Sequence, residues 1–333
     1  MPVIRVLHVG LGPIGAAVVR QVAARKGLKI VGAVDIDPAK IGRDLGEATG
    51  AGRKLNVKIA GDLKKAIKAT KPDVAVLCTS SSLKKVVAQF EEVLKLKVPI
   101  VSTTEELAFP TPGNNRAARA IHKAALKGKA AVLGTGVNPG FTMDALPLAL
   151  TAVCERVDSI EVDRVQDARI RRLPFQQKIG AGLTKEQFQT KVEDTSVRHV
   201  GLAESISMIA HGLGWKLDRI TDEIKPKIAD AAVTSEFLTV DAGRVCGIVQ
   251  DGVGYRNGKP LITLHMEAYL GAPESYDAVR VKGSPNINSK IAGGVHGDVA
   301  TASMVVNSIP LVLEVKPGLH TMLDMPLPHF FGG

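Results

Sequence analysis

The chain has 333 residues, 45% hydrophobic and 23% charged, which exceeds one ordinary domain and suffices for two buried cores. A formal net charge of +10 raises nucleic acid as a partner, but aromatic residues are only 4%. Lys64, Lys65, Lys68, Lys84 and Lys85 are dispersed over helical stretches, so neither a basic stripe nor a stacking platform is expected, and nucleic-acid binding is excluded.

The opening run Val3 to Val9 reads as a buried strand. Its apolar part is too short for a signal peptide and lacks a small-residue cleavage site. No apolar stretch approaches the ~18 residues of a membrane span, so no membrane association is expected. Cys78, Cys154 and Cys246 are scattered, with neither a CxxC spacing nor a histidine at metal-ligand distance. Such thiols suit a reducing compartment, and a cytoplasmic protein without a metal site is expected.

The first strand ends in Gly10-Leu11-Gly12-Pro13-Ile14-Gly15, a helical pattern runs from Ala16 to about Arg25, and Lys29 to Asp35 forms a second strand. Strand, glycine turn, helix and strand make one right-handed βαβ unit. Helices around 63–69, 83–96 and 115–126 then alternate with strands 74–78, 100–102 and 131–133. Runs apolar on both faces between amphipathic helices specify a doubly wound parallel sheet of Rossmann type, in an α/β chain.

After Asn138-Pro139-Gly140 the rhythm changes. A helix from Met143 to about Val153 precedes longer strand-like stretches at 159–166, 235–249 and 261–270, with Asp251-Gly252 and Asn257-Gly258 as hairpin signals. A second, α+β domain of largely antiparallel sheet is expected. Thr184 to Gln187 has the capping-box pattern of a helix start. A final helix, 298–309, is predicted with Asp298 as its cap and Pro310 as its stop. The expected division is residues 1–137, 138–296, and a C-terminal helix and tail, 297–333, returning to the first domain.

Gly10, Gly12 and Gly15 fit a dinucleotide site: one for the tight turn, one for pyrophosphate approach, one for close helix–strand packing. Pro13 and Ile14 open the helix on which phosphate would rest. Asp35 ends the second strand about 20 residues on, where a carboxylate binds ribose hydroxyls and repels a 2′-phosphate. NAD is the expected cofactor. Lys40 and Arg43 downstream keep NADP open, since they would partly neutralise a phosphate.

Ligands of open α/β sheets gather beyond the carboxyl ends of the strands. That rule selects Thr79 and Ser80, then Thr103 to Glu106, then the turn bearing Asn138. Ser81 or Ser82 is expected to cap the following helix. Asn138 either faces nicotinamide or substrate or shapes the turn.

Glu105 and Glu106 are the acidic residues at a strand's carboxyl end, either acid–base groups or caps of the next helix. With Thr103 and Thr104 finishing the strand, Glu105 should emerge at the sheet edge, and Glu106 should point toward a helix terminus or solvent. Arg169, Arg171 and Arg172 form a basic cluster that either binds a substrate carboxylate or coats the surface. His296 is either a structural histidine or a substrate contact.

These segments resemble one family. Thr103-Thr104-Glu105-Glu106-Leu107, Gly136 to Phe141, Arg172 to Leu183, His199 to Ser205, Gly212 to Trp215, Gly294 to Thr301 and Pro317 to Met322 are similar to the 2,4-diaminopentanoate dehydrogenases and the native amine dehydrogenases grouped with them. The resemblance spans nearly the whole chain. It implies an NAD(P)-linked enzyme that deaminates a primary amine or diamine, or aminates a ketone with ammonia; a homodimer is expected. It implies a catalytic glutamate in the Thr-Glu-Glu loop, mapped to Glu105, and Phe141, Arg169 and His296 are the candidate substrate contacts. Dihydrodipicolinate reductases share the nucleotide fold, but their histidine-rich and Lys-x-Asp-Ala-Pro-Ser-Gly motifs are missing. The remaining alternatives are an imine reductase, another hydride-transfer enzyme on this scaffold, or a dinucleotide-binding sensor. A sugar-type alcohol dehydrogenase would carry a Lys–His pair in the strand-five loop, and Ser102 to Leu107 has neither residue.

Overall fold

A computed structural model describes residues 2–332 and resolves two compact units. One runs from the N-terminal strand to Phe141 and resumes at His296. The other is Thr142–Val295.

The first unit opens with β1 (Ile4–Val9), α1 (Pro13–Ala24), β2 (Leu28–Val34), α2 (Leu45–Thr49) and β3 (Ile59–Ala60). It continues through α3 (Leu63–Thr70), β4 (Val74–Leu77), α4 (Leu83–Lys95), β5 (Ile100–Ser102), α5 (Glu105–Ala108), α6 (Asn115–Gly128) and β6 (Ala131–Gly134). All seven strands of its sheet are parallel, in the order β15-β6-β5-β4-β1-β2-β3, where β15 is Gly318–His320 near the C-terminus. β4 and β5 are wholly buried, as runs apolar on both faces require when helices cover both sides. The chain winds from β1 toward β3, then restarts at β4 on the other side of β1. The reversal point between β1 and β4 is where such sheets open a ligand crevice.

The second unit holds α7 (Ala145–Leu150), β7 (Arg156–Asp167), α8 (Leu173–Lys178), α9 (Lys185–Glu193), α10 (Leu202–Gly212) and β8 (Arg219–Ile228). It ends with β9 (Val233–Thr234), β10 (Thr239–Val240), β11 (Val245–Arg256), β12 (Lys259–Tyr269), β13 (Tyr276–Ser284) and β14 (Ile287–Ala292). The six-stranded sheet β14-β13-β7-β12-β11-β8 is antiparallel except between β7 and β12. Inward residues such as Ile160, Val162, Ile248, Ile262 and Leu264 alternate with polar outward ones and pack with Leu202, Ile206 and Ile209 of α10.

Several local expectations are corrected. The stretch 235–249 is not one strand: β10 ends at Val240, and a turn with Gly243 at φ 79° precedes β11. Asp251-Gly252 lies inside β11, and the hairpin turn is Asn257-Gly258 alone, at φ 52° and 72°. Gly252 is small for a packing reason, because a Cβ there would sit 3.0 Å from Ile206 Cδ1 and 3.2 Å from Leu202 Cβ. The helix expected from Met143 to Val153 is α7 plus a 3₁₀ turn at Thr151–Val153. The capping box Thr184–Gln187 is present.

The last helix, α11 (Gly297–Val312), belongs to the first unit. His296, not Asp298, holds its N-cap position, and Asp298 lies in the first turn, where its charge suits the helix dipole. Pro310 does not end the helix; it is followed to Val312. Ala302, Met304, Val305, Val306 and Ile309 are buried. Gln21 of α1 donates to Val299 O at 3.1 Å and lies 3.1 Å from Ser303 Oγ, fixing α11 along α1.

Candidate active site

The glycine turn is closed at two of its glycines and open at the third. Gly10 has φ 87°, and a Cβ there would lie 2.5 Å from Cys78 O at the end of β4. At Gly15 a Cβ would lie 2.0 Å from Gly10 O and 2.9 Å from His8 Nε2. At Gly12, the N-cap residue of α1, a Cβ would meet nothing within 4 Å. Close approach to the end of β4 therefore explains Gly10, close approach of α1 to the turn explains Gly15, and Gly12 opens onto free space. Pro13 sits at the first helical position, and no acidic side chain stands in the first turn to repel an anion.

His8 escaped the sequence reading. It is buried, its Nε2 is 3.0 Å from Gly10 O, and it fills the space under the turn. Desolvation pushes its pKa down to about 4, against the opposing effects of Gly10 O and Asp35. A neutral ring therefore buttresses the loop at neutral pH. The available signal was a histidine inside an apolar strand, two residues before the first glycine.

Asp35 is 8% exposed. Its Oδ2 accepts from Leu11 N at 2.6 Å and lies 3.4 Å from Lys40 Nζ, while Oδ1 accepts from Asp37 N at 2.9 Å. Burial alone would raise its pKa. The Asp37 and Leu11 amides and Lys40 outweigh burial and hold the carboxyl below the usual carboxylate range.

Beyond β4 and β5, side chains stitch the loops together. Thr79 is exposed, and its hydroxyl donates to Gln89 Oε1 at 2.8 Å. Ser80 Oγ accepts from Ser82 N at 3.2 Å, and Thr104 Oγ1 donates to Ser80 O at 2.9 Å. Thr103 bonds the thiol of Cys78, which burial nevertheless pushes up to about 12. β5 ends at Ser102, so Thr103 and Thr104 lie beyond the strand, and Thr104 takes the N-cap position of α5.

The two glutamates diverge from that point. Glu106 Oε2 accepts from Leu83 N at 2.7 Å and so caps α4. Ser82 occupies the cap position without a side-chain cap bond, so the expected serine cap is replaced by a carboxylate from 23 residues away. Glu105 is half-buried, and among the described residues it has neither a hydrogen-bond nor an ion-pair partner.

Asn138 is buried in a tight turn whose Asn138–Pro139 peptide is cis. Gly140 closes that turn at φ 128°, where a Cβ would meet Gly136 N and O at 2.5 Å. Phe141, half-buried, ends this segment of the first unit, and His296, also half-buried, begins the next. In the second unit Arg169 is exposed and its guanidinium pairs with Asp167 at 2.6 Å. Its neighbour Arg171 is buried, donates to Gln166 Oε1 at 2.9 Å and stacks 4.0 Å over the Phe175 ring.

The second unit also holds an ion pair that no local pattern announces. Arg164 Nη1 meets Asp277 Oδ1, with both side chains almost fully buried. Arg164 Nη2 donates to Val295 O at 2.9 Å, and Val295 N donates to Asp277 Oδ2 at 2.7 Å. Among the described residues no group of three or more His, Cys, Asp or Glu side chains could hold a metal ion.

The fold and these motifs have counterparts. Residues 141–333 match the model of the 2,4-diaminopentanoate dehydrogenase C-terminal domain, and residues 4–108 match that of the dihydrodipicolinate reductase N-terminus. The chain is 33% identical over 345 residues to 2,4-diaminopentanoate dehydrogenase of Acetoanaerobium sticklandii, covering 100% of this chain and 96% of that one. It is 24% identical over 345 residues to an amine dehydrogenase of Streptomyces virginiae, covering 96% and 95%. An amine dehydrogenase structure from Mycobacterium smegmatis superposes with a TM-score of 0.87 at 24% identity, covering 98% and 97%.

Proposed function

The chain belongs to the 2,4-diaminopentanoate dehydrogenase family and is an NAD(P)-dependent oxidoreductase acting on amines; from that premise we propose that it deaminates a short primary amine or diamine, or runs the reverse amination of a ketone with ammonia. The observation that carries this reading is the division of labour in the Thr-Glu-Glu loop. Glu106 is spent on the α4 terminus, which leaves Glu105 at the carboxyl edge of the sheet.

An ammonium ion cannot release hydride from its carbon, because the nitrogen lone pair must first be free. Glu105 takes that proton and passes it to solvent, so that as a carboxylate it holds the cation that forms as the C–H electron pair leaves. It next takes a proton from the water that attacks the carbon and returns it to the nitrogen; ammonia then departs as the new hydroxyl loses its proton to the same carboxylate, and a carbonyl remains. When bound, the dinucleotide supplies the two-electron acceptor. Gly10, Gly12, Pro13, Ile14, Gly15, Asp35, Thr79, Ser80, Thr103 and Asn138 are the residues assigned to hold it. The open space over Gly12, the unopposed α1 terminus and the carboxylate at the end of β2 fit that group, with NAD preferred. Phe141, Arg169 and His296 complete the proposed substrate set, and Arg169 must exchange Asp167 for a substrate carboxylate to take part.

Oxidation of NADH, followed optically with a panel of short ketones and keto acids, tests the reading. Ammonia-dependent turnover with at least one member is expected. Turnover that ignores ammonia would assign a different hydride transfer to the scaffold.

A further inference from the structure

Lysines that are dispersed along the sequence come together on one side of the parallel sheet. The crossovers holding α3, α4 and α6 all run toward β6, whereas the β1–β2 crossover holding α1 runs the other way. Right-handed crossovers of opposite direction put their helices on opposite faces. α4 accordingly packs with both α3 and α6, while α1 packs with α11. Segments 62–73, 83–97 and 115–129 carry thirteen lysines and arginines against four acids, a net +9 of the chain's formal +10. All thirteen are exposed, among them Lys64 and Lys68 on α3, Lys84 and Lys95 on α4, and Arg119 and Lys123 on α6. The apolar stripe of each helix, such as Ala118, Ile121 and Ala125 of α6, is buried, so the cations between those positions face water. Little neutralises them. Asp62 pairs with Lys65 at 3.5 Å, the single ion pair of these segments among the described residues, and Asp73 accepts from Arg5 N at 2.7 Å.

We propose that the α3–α4–α6 face binds the phosphate backbone of double-helical DNA without reading its sequence, an activity separate from the amine chemistry. Dispersal along the sequence, which argues against nucleic acid, does not survive folding. The shortage of aromatic rings does survive, and it narrows the partner. Phe90, the one Phe, Tyr or Trp in the three segments, is fully buried, so a single strand finds no stacking ring and a protein finds no aromatic anchor. A lipid surface takes up an apolar helix face, but here that face is spent on the sheet, and Leu126 is the one large apolar side chain left exposed. Duplex RNA is distinguished through its 2′-hydroxyls. The Thr70 hydroxyl is committed to Ala66 O at 2.8 Å and Gln89 Oε1 to Thr79 at 2.8 Å. DNA phosphates ask only for exposed cations. α4 and α6, with 13 and 14 residues, are about 20 Å long, enough to follow about six base pairs.

Fluorescence anisotropy of a labelled mixed-sequence DNA duplex of about 20 base pairs, titrated with the full chain, tests this. Wild type should bind with a Kd of about 10⁻⁶ to 10⁻⁵ M in about 50 mM NaCl, and log K against log salt should fall with a slope of about −4. Arg119→Glu with Lys123→Glu should weaken binding about tenfold or more and flatten the slope by about 2, with thermal unfolding unchanged. Arg119→Gln with Lys123→Gln should act in the same direction by less, and it guards against misfolding from the reversed charges. Lys185→Glu with Lys282→Glu, both exposed in the second unit, changes net charge as much as the first pair and should leave affinity within about twofold. Absence of duplex binding by wild type would overturn the proposal, as would equal losses in the two Glu pairs. Tighter binding of the matching single strand, of an RNA duplex or of phosphatidylserine vesicles would also overturn it, each by naming a different partner.

Discussion

At the carboxyl edge of the seven-stranded sheet, side chains answer the backbone. Asp35 takes the Leu11 and Asp37 amides, Glu106 takes the Leu83 amide, and Thr104 gives its proton to the Ser80 carbonyl. In the six-stranded sheet, side chains mostly answer each other. Arg164 pairs with Asp277, Arg280 with Asp163 at 2.5 Å, and His265 lies 2.6 Å from Asp251 and 3.1 Å from Glu267. The first arrangement pins loops and leaves the Glu105 carboxylate without a partner among the described residues. The second fixes strand register, because the Arg164–Asp277, Arg280–Asp163 and His265–Asp251 pairs join neighbouring strands and a slip of one residue would separate them.

Breaking the buried pair tests the second arrangement at its most costly point. Arg164→Met leaves the Asp277 carboxylate buried without its countercharge, and unfolding free energy should fall by about 3–5 kcal/mol. Arg164→Met combined with Asp277→Leu should recover part of that loss, as denaturant titration would show. A double variant no better than the single would mean that the Val295 contacts, not the charges, carry the stability.

A smaller effect is expected from His8, because its ring is held neutral in the fold but charges readily in the unfolded chain. Its folded pKa of about 4 lies below its unfolded value of 6.5. Its contribution is therefore full above pH 6.5 and is lost as pH falls toward 4, by up to ~3 kcal/mol. The stability difference between wild type and His8→Gln should shrink across that window, read from denaturant midpoints at each pH. A difference that stays flat from pH 7 to 4 would show that the ring protonates freely.

The glycine turn should separate folding from binding with the least cost to stability. Gly12→Val points into open space and should change unfolding free energy by no more than ~1 kcal/mol while abolishing dinucleotide binding. Gly15→Val, facing Gly10 O at 2.0 Å, should lose stability as well as binding. Full dinucleotide affinity in a folded Gly12→Val protein would remove the assignment of the turn.

Legibility in the sequence followed the same division. The glycine turn, the alternation of strands and helices and the Thr184–Gln187 capping box are contained in short windows, where local propensity and the fold agree. Asp251-Gly252 misled because a glycine that admits α10 against the sheet has the same spelling as a turn. Ser82 misled because the residue that caps α4 comes from the next loop. Arg164 and Asp277 are 113 residues apart, and no spacing rule joins them. Lys40 was legible as a charge near Asp35, whereas the prior commitment of that carboxylate to Leu11 was not.

The central claim is that Glu105 handles the proton while Glu106 holds a helix. Steady-state turnover of Glu105→Gln and Glu106→Gln, beside dinucleotide affinity and thermal unfolding of each, tests it directly. Glu105→Gln should cut turnover by ~10²-fold or more with affinity and stability near wild type. Glu106→Gln should retain most turnover and lose about 1 kcal/mol of stability from the weakened α4 cap. Near-normal turnover in Glu105→Gln, or the reverse ranking of the two variants, would contradict the account.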